Sequence, residues 1–510
     1  MGCRPFWRRW SVPGLALLFM TVLAGCGPAA PTPSSLFGMA TVSATPQQTI
    51  AGFGASGAWW PNDLINWTPA NQHKAEKLLF SPQGLDLSVY RYNIGGGGAG
   101  VHPVGGKTAA KSFLISPGVY NWNGDPAGVT FLRAAVQMHV PVIIGFVNSA
   151  PPFWKTPNSK TGVPEACGGE LAPNDVAAYA QYLATIAQHL HGEGLTLNYI
   201  SPMNEPDYSF NTCTQEGMKV PPSERVTVIK DLYAQLQQKA PYTKIIADAS
   251  SQVGPQLLRE YPQWLPQVYQ DIAAVAHHTY DFPSAATLTQ MKADIGQFHK
   301  PTWMTEVCCW NGSGFGPGYD PTITGAMWMA DDIWKDMVYG GDASWQWWVA
   351  FSDNLGCQPG VSPTCPSQAR PHSGSNDGLA YYDPNYATDG NQQIYLTKRY
   401  WVMGNFSRYV RPGAVLHKVS NAPPGLRVVA FATASGWSVV AINDDSSAFA
   451  PVTLTLRFPG TTRLRVVGTY QTSASLNLQP VQGTQMGQNV MQAKLPPQSV
   501  TTFVIKRSFF

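Results

Sequence analysis

Glu205 and Glu306 stand in settings that could do chemistry. Each closes an apolar run: Ile200-Ser201-Pro202-Met203-Asn204-Glu205-Pro206 in one case, Trp303-Met304-Thr305-Glu306 in the other. A lone glutamate is ordinarily a surface or salt-bridged residue. Two at the ends of strand-like runs, three runs apart, suggest a pair. One carboxyl can protonate the leaving oxygen of a glycosidic bond while the other attacks the anomeric carbon, provided that they stand about 5–5.5 Å apart. Asn204, directly before the first, can hydrogen-bond the 2-hydroxyl of the sugar being cut.

The elements around them can be read from the same pattern. Short apolar runs near 50–55 and at 87–94, 140–147, 197–203, 244–249, 273–279, 302–305 and 343–349 alternate with amphipathic stretches such as 174–191 and 222–239. Eight strand–helix repeats over residues 51–412 predict a (β/α)8 barrel, with both glutamates at the C-terminal rim where such barrels do their chemistry. From 413 to 510 the helical period disappears. Segments such as VLHKVS, LRVVAFAT, WSVVAIND and VTLTLRF alternate apolar and polar residues, which predicts a β-sandwich. A strand over 38–50 is expected to join it from the other end of the chain.

Several motifs together resemble glycoside hydrolase family 30, a retaining family that includes glucosylceramidases, glucuronoxylanases, β-1,6-glucanases and endo-β-1,6-galactanases. Gln47-Gln48-Thr49-Ile50-Ala51-Gly52-Phe53-Gly54 resembles its opening motif, and Ser149-Ala150-Pro151-Pro152-Phe153 resembles its S-P-P-W turn. Asn204-Glu205-Pro206 and Trp303-Met304-Thr305-Glu306 resemble its acid/base and nucleophile motifs. The resemblance implies Glu205 as acid/base, Glu306 as nucleophile and Asn204 on the 2-hydroxyl. It implies substrate contacts for Arg91 at the end of the second strand and for His278 and Tyr280 on the sixth. A structural ion pair for Arg91 and a core position for His278 are the alternatives. On the eighth strand Trp345 and Trp347 share a face, and Trp347 is the expected sugar platform. Trp60, or its neighbour Trp59, is expected to line the pocket, the other being core. Phe153 stands where the family often has Trp, with Trp154 following, so the motif leaves open which ring reaches the sugar. Gly54-Ala55-Ser56-Gly57-Ala58-Trp59-Trp60-Pro61 and Gly95-Gly96-Gly97-Gly98 resemble the endo-β-1,6-galactanase branch, which implies a galactan substrate. Other β-glycanases or β-glycosidases of the family are the alternatives (a β-1,6-glucanase, a xylanase or a glucosylceramidase), as is a non-catalytic carbohydrate-binding lipoprotein.

Composition excludes other classes. The net charge is +3 with 12% charged residues and no basic run, which does not suit a nucleic-acid partner. Gly95-x-Gly97-x-x-Gly100 is followed by a loop rather than the helix a dinucleotide would need. No Walker loop, Gly-x-Ser-x-Gly elbow, HExxH or CxxC occurs, so no cofactor or metal is expected. Arg4, Arg8 and Arg9 precede a short apolar stretch ending in Leu23-Ala24-Gly25-Cys26. This predicts a lipoprotein-type signal peptide over 1–25, lipidation of Cys26 and a flexible tether over 26–37. An ordinary signal peptide or a short uncut anchor is the alternative. With Cys26 lipidated, the protein would be exported and held to a bacterial membrane by its lipid only. The six later cysteines are an even set in an exported chain, which suggests disulfides. Cys357 with Cys365 and Cys167 with Cys213 are plausible pairs, and the adjacent Cys308 and Cys309 are not assigned.

Overall fold

The computed structural model describes residues 38–102, 107–446 and 450–508. The signal peptide, tether and Cys26 expected from the sequence lie outside them.

Eight parallel strands close into a barrel: Gly52–Ser56, Val89–Ile94, Val142–Val147, Tyr199–Ser201, Lys244–Ser250, Ala274–His278, Thr302–Glu306 and Ser344–Ser352. The eighth completes the ring, pairing with the seventh through Trp303↔Ser344 and with the first through Ser344↔Gly52. Most positions on these strands are buried on both faces, which is why they read as apolar runs rather than as alternating ones. The fourth strand is shorter than its apolar run. Pro202 has no N–H to give the ladder, so pairing stops at Ser201 and the chain leaves the sheet just before Asn204 and Glu205. Helices Val176–Gly192 and Pro222–Lys239 lie close to the two amphipathic stretches. The second opens on a proline, whose missing N–H costs nothing there.

Glycines 95–98 have a packing role. A Cβ on Gly95 would sit 2.1 Å from the carbonyl oxygen of Ala110, so the backbone passes there only because the side chain is absent. Gly98 N–H donates to the buried Glu216 at 2.9 Å, not to an open anion site.

A second, ten-stranded sheet is built from both chain ends. Ala40–Thr49 runs antiparallel to Val415–Ser420 and parallel to Val452–Arg457, joining its two halves. Val439, Phe503 and Ile505 from one half share a core with Leu454, Leu456, Met491 and Leu495 from the other, in a sandwich arrangement. Helix Lys398–Ser407 is the seam with the barrel. Its Asn405 bonds Thr502 at 3.0 Å and Thr472 at 2.6 Å in the sandwich, while Phe406 meets Phe53 of the first barrel strand at 5.7 Å.

Disulfides join Cys167–Cys213, Cys308–Cys309 and Cys357–Cys365. Among the described residues no helix is long and apolar enough to cross a membrane.

The fifth strand is braced from outside. Buried Arg225 donates to Asp248 and to Glu260, both at 2.7 Å. Removing one member of such a group leaves an uncompensated buried charge. Arg225→Ala should therefore lower unfolding free energy at neutral pH by about 3–5 kcal/mol in urea denaturation.

Candidate active site

The C-terminal rim gathers six polar side chains from separate strands and loops: Arg91, Asn204, Glu205, His278, Tyr280 and Glu306. Glu306 is the last residue of the seventh strand and is buried. Arg91, from the second strand, donates to Glu306 Oε2 at 2.7 Å and to Asn204 Oδ1 at 3.3 Å. Its guanidinium lies 4.1 Å from the centre of the Phe146 ring, an apolar floor that favours a cation. Tyr280 donates its hydroxyl to Glu306 Oε1 at 2.9 Å. Both oxygens of Glu306 thus accept hydrogen bonds, one of them from a cation, as suits a carboxylate.

Glu205 sits in a different environment. Its backbone has φ 47°, in the left-handed region that non-glycine residues rarely occupy. The conformation is held from both sides. Glu205 N–H donates to Ala249 O at 2.9 Å, and Asp207 accepts from Ser251 N–H at 2.9 Å and from the Ser251 hydroxyl. Burial and the nearby charge of Asp207 push the Glu205 carboxyl up to about 8, with Arg91 acting against them. The carboxyl therefore keeps its proton at neutral pH and can donate it. One oxygen of Glu205 and one of Glu306 lie within 4.8 Å of each other, with His278 inside the same limit.

His278 stands between the pair, with Nδ1 3.0 Å from Glu205 Oε1 and 3.8 Å from Glu306 Oε1. Burial drives its pKa down to about 3, against the pull of Glu306, so the ring is neutral. Its Nε2 is buried without a partner. Placing the proton on Nδ1 avoids an orphaned buried donor, so Nδ1–H is assigned as donating to Glu205. Tyr280, pushed well above the ordinary phenol range by burial and then by Glu306, remains a donor. Glu205, His278 and Glu306 are near enough to share a cation, but Arg91 already balances the charge on Glu306. In the other acidic group, Glu165 with Cys167 and Cys213, the sulfurs are bonded to each other and offer no thiolate.

Glu205, Tyr280 and Glu306 open onto a cleft of about 500 Å³, whose lining includes Tyr208, Phe210, Ser251, Cys308, Cys309, Phe315, Trp348 and Asp377. Three expected contacts are not there. Trp347 is fully buried, its indole N–H donating to Asp377 O at 2.6 Å, and Trp348 faces the cleft instead. Trp345 and Trp347 do share a face, their rings stacked at 6.0 Å, but that face is sealed, and a bulge between Trp347 and Val349, opposite the first strand, breaks the alternation at Trp348. Trp60 is core, wedged against Phe131 and Phe351, with its N–H on Ser56 O. It is Trp59 that touches Trp348, at 5.2 Å. Phe153 is half exposed and Trp154 packs on Tyr182, and neither lines the cleft. Sequence reasoning missed Asp207, Tyr208, Phe315 and the adjacent disulfide. Their only signal was a position a few residues beyond each glutamate motif.

Because its pKa is raised above the ordinary 4.5, Glu205 contributes no penalty below that value. It costs stability increasingly as pH climbs toward 8, since the unfolded chain releases the proton first. Glu205→Gln should therefore melt at the wild-type temperature near pH 4. At pH 8 it should be more stable by on the order of 1–3 kcal/mol, followed by thermal melts across that range.

Comparisons with known proteins agree with this geometry. Residues 39–270 match the model for O-Glycosyl hydrolase family 30. Glucuronoxylanase XynC of Bacillus subtilis is 26% identical over 336 residues, 65% of this chain and 66% of the relative. Among solved structures, the catalytic domain of xylanase C from Talaromyces cellulolyticus superposes with a TM-score of 0.68 at 22% identity, covering 92% of this chain and all of that one. A conserved exported protein of Bacteroides fragilis gives 0.73 at 20% identity over 92% of this chain and all of that one. An endo-β-1,6-glucanase gives 0.68 at 17% identity, covering 92% and 94%. With a closed eight-stranded barrel, a side sheet and a facing glutamate pair, the protein is a glycoside hydrolase, similar over residues 39–270 to O-Glycosyl hydrolase family 30.

Proposed function

We propose that the protein is a retaining endo-β-1,6-galactanase, in which Glu205 is the acid/base and Glu306 the nucleophile. The observation that carries the mechanism is the approach of the two carboxyl groups to within 4.8 Å, one paired with a cation and the other raised to about 8. Glu306 attacks the anomeric carbon as Glu205 gives its proton to the departing oxygen, leaving a glycosyl ester on Glu306. Glu205, now ionised, takes a proton from water, and that water releases the sugar with its configuration retained. Asn204, whose Oδ1 accepts from Arg91, bonds the 2-hydroxyl through its amide N–H in this reading. Nδ1–H of His278 fixes one oxygen of Glu205 and leaves the other free for the leaving group.

The substrate is read from the cleft. Among the described residues that line it there is no lysine or arginine. A glucuronate branch carries a carboxylate that would call for one, so a neutral glycan fits better than a glucuronoxylan. Galactose with a β-1,6 linkage rests on the likeness of residues 54–61 and 95–98 to the galactanase branch. The glucuronoxylanase relative keeps a xylan reading as the alternative. Three disulfides support export to an oxidising compartment. Anchoring through Cys26 completes the proposal, and Cys26→Ala should free the protein from the membrane fraction.

Product analysis on β-1,6-galactan, β-1,6-glucan, β-1,3-galactan and glucuronoxylan tests the assignment. The expected result is reducing sugar from the first alone. Release chiefly from glucuronoxylan would replace this reading with the alternative. Glu306→Gln should lose more than about 10³-fold in kcat. Glu205→Ala should lose about 10²–10⁴-fold on the polysaccharide but far less, in the glycosylation step, on aryl glycosides whose leaving group needs no proton. Wild-type activity should fall as pH rises through about 8, where Glu205 gives up its proton.

A further inference from the structure

Two large aromatic rings in the cleft stay open to solvent. Tyr208 is 53% exposed and Phe315 is 64% exposed, and both line the cleft beside the glutamates. Single exposed aromatics are common and need no explanation. These differ because each is braced by contacts on a separate loop that follows a catalytic glutamate. Tyr208 N–H donates to Glu205 O at 2.9 Å, and its ring stands edge-on to the buried Phe210 at 4.9 Å. Phe315 ends a small hairpin in which Trp310 bridges Phe315 and Gly316 N–H donates to Cys309 O at 3.2 Å. The root of that hairpin is fixed twice, by the Cys308–Cys309 bond and by Trp310 stacked on Trp328 at 5.8 Å. At its other end the Phe315 ring meets Tyr280, the partner of Glu306, at 5.6 Å.

We propose that Tyr208 and Phe315 are the sugar platforms on the two sides of the scissile bond, Tyr208 for the aglycone unit and Phe315 for the glycone, so that the cleft grips an internal stretch of a β-glycan chain. The sides follow from the chemistry. The departing oxygen is the one Glu205 protonates, so the aglycone lies toward the Glu205 loop and Tyr208. The sugar attacked by Glu306 lies toward Tyr280, and its glycone neighbour toward Phe315. The apolar CH face of a pyranose can stack on an exposed aromatic ring, at a smaller ordering cost where contacts already brace it. The inference deepens the galactanase reading and rests on its assignment of Glu205 and Glu306.

The test is the position of cleavage in a β-1,6-linked galactotetraose labelled isotopically at its reducing end, with the β-1,6-linked glucotetraose in parallel. Tyr208→Ala should lower kcat/KM about three- to ten-fold, mainly through KM, and shift cleavage toward the reducing end, because the glycone platform then dominates. Phe315→Ala should shift it toward the non-reducing end. Trp at either position should restore the wild-type pattern. Unchanged patterns in both alanine variants, or shifts in the same direction, would overturn the inference while leaving the enzyme assignment intact. If wild type cuts neither tetraose, the galactan reading falls, and the same variants are judged by the same criteria on an oligomer of whichever panel glycan is cut.

Discussion

The active site depends on one ion pair, Arg91 to Glu306, 2.7 Å long and almost sealed from water. Taking a cation and a carboxylate out of solvent is expensive unless the remaining hydrogen-bonding capacity is used. Here Tyr280 takes the other oxygen of Glu306, and Asn204 accepts the second arm of the guanidinium. The consequence for Glu205 is indirect. It lies within 4.8 Å of Glu306 but has no hydrogen bond to the cation, only a neutral imidazole and the charge of Asp207 nearby. Two chemically identical side chains thereby sit in contrasting environments, one ion-paired with Arg91 and the other raised by burial, and the division of labour in a double displacement needs that contrast.

Much of the frame could be read from residue order because parallel strands buried on both faces leave uninterrupted apolar runs. The barrel, its added sandwich and the two glutamates at the strand ends were all legible in this way. Partnerships across the barrel were another matter. That Arg91 reaches Glu306, 215 positions away, follows only once the ring is closed. Trp347 was misread for a local reason: the bulge after it turns Trp348 to the cleft, and no composition cue marks a bulge inside an aromatic run. Trp60 and Phe153 failed because a short motif says that an aromatic is present without saying which neighbour packs inward. The Cys308–Cys309 bond was invisible for a similar reason, since adjacent cysteines enclose no loop whose length could suggest the pairing.

The loops after the fourth and seventh strands carry what the frame does not decide. Both leave the barrel directly behind a glutamate and both present an aromatic ring to the cleft. The strands place the reacting atoms, and these loops shape the walls along which a glycan would lie. Changes in these loops can therefore alter what the cleft accepts without disturbing Arg91, Asn204 or Tyr280.

Strand Ala40–Thr49 has both of its sheet neighbours near the opposite end of the chain, at Val415–Ser420 and Val452–Arg457. Chain emerging from a ribosome presents this strand hundreds of residues before its neighbours. Throughout that interval its hydrogen-bonding edges are unpaired, a state prone to association with other chains. A chain stopped within the barrel would therefore carry Ala40–Thr49 with both of its edges open, an adhesive ribbon that the completed sheet covers.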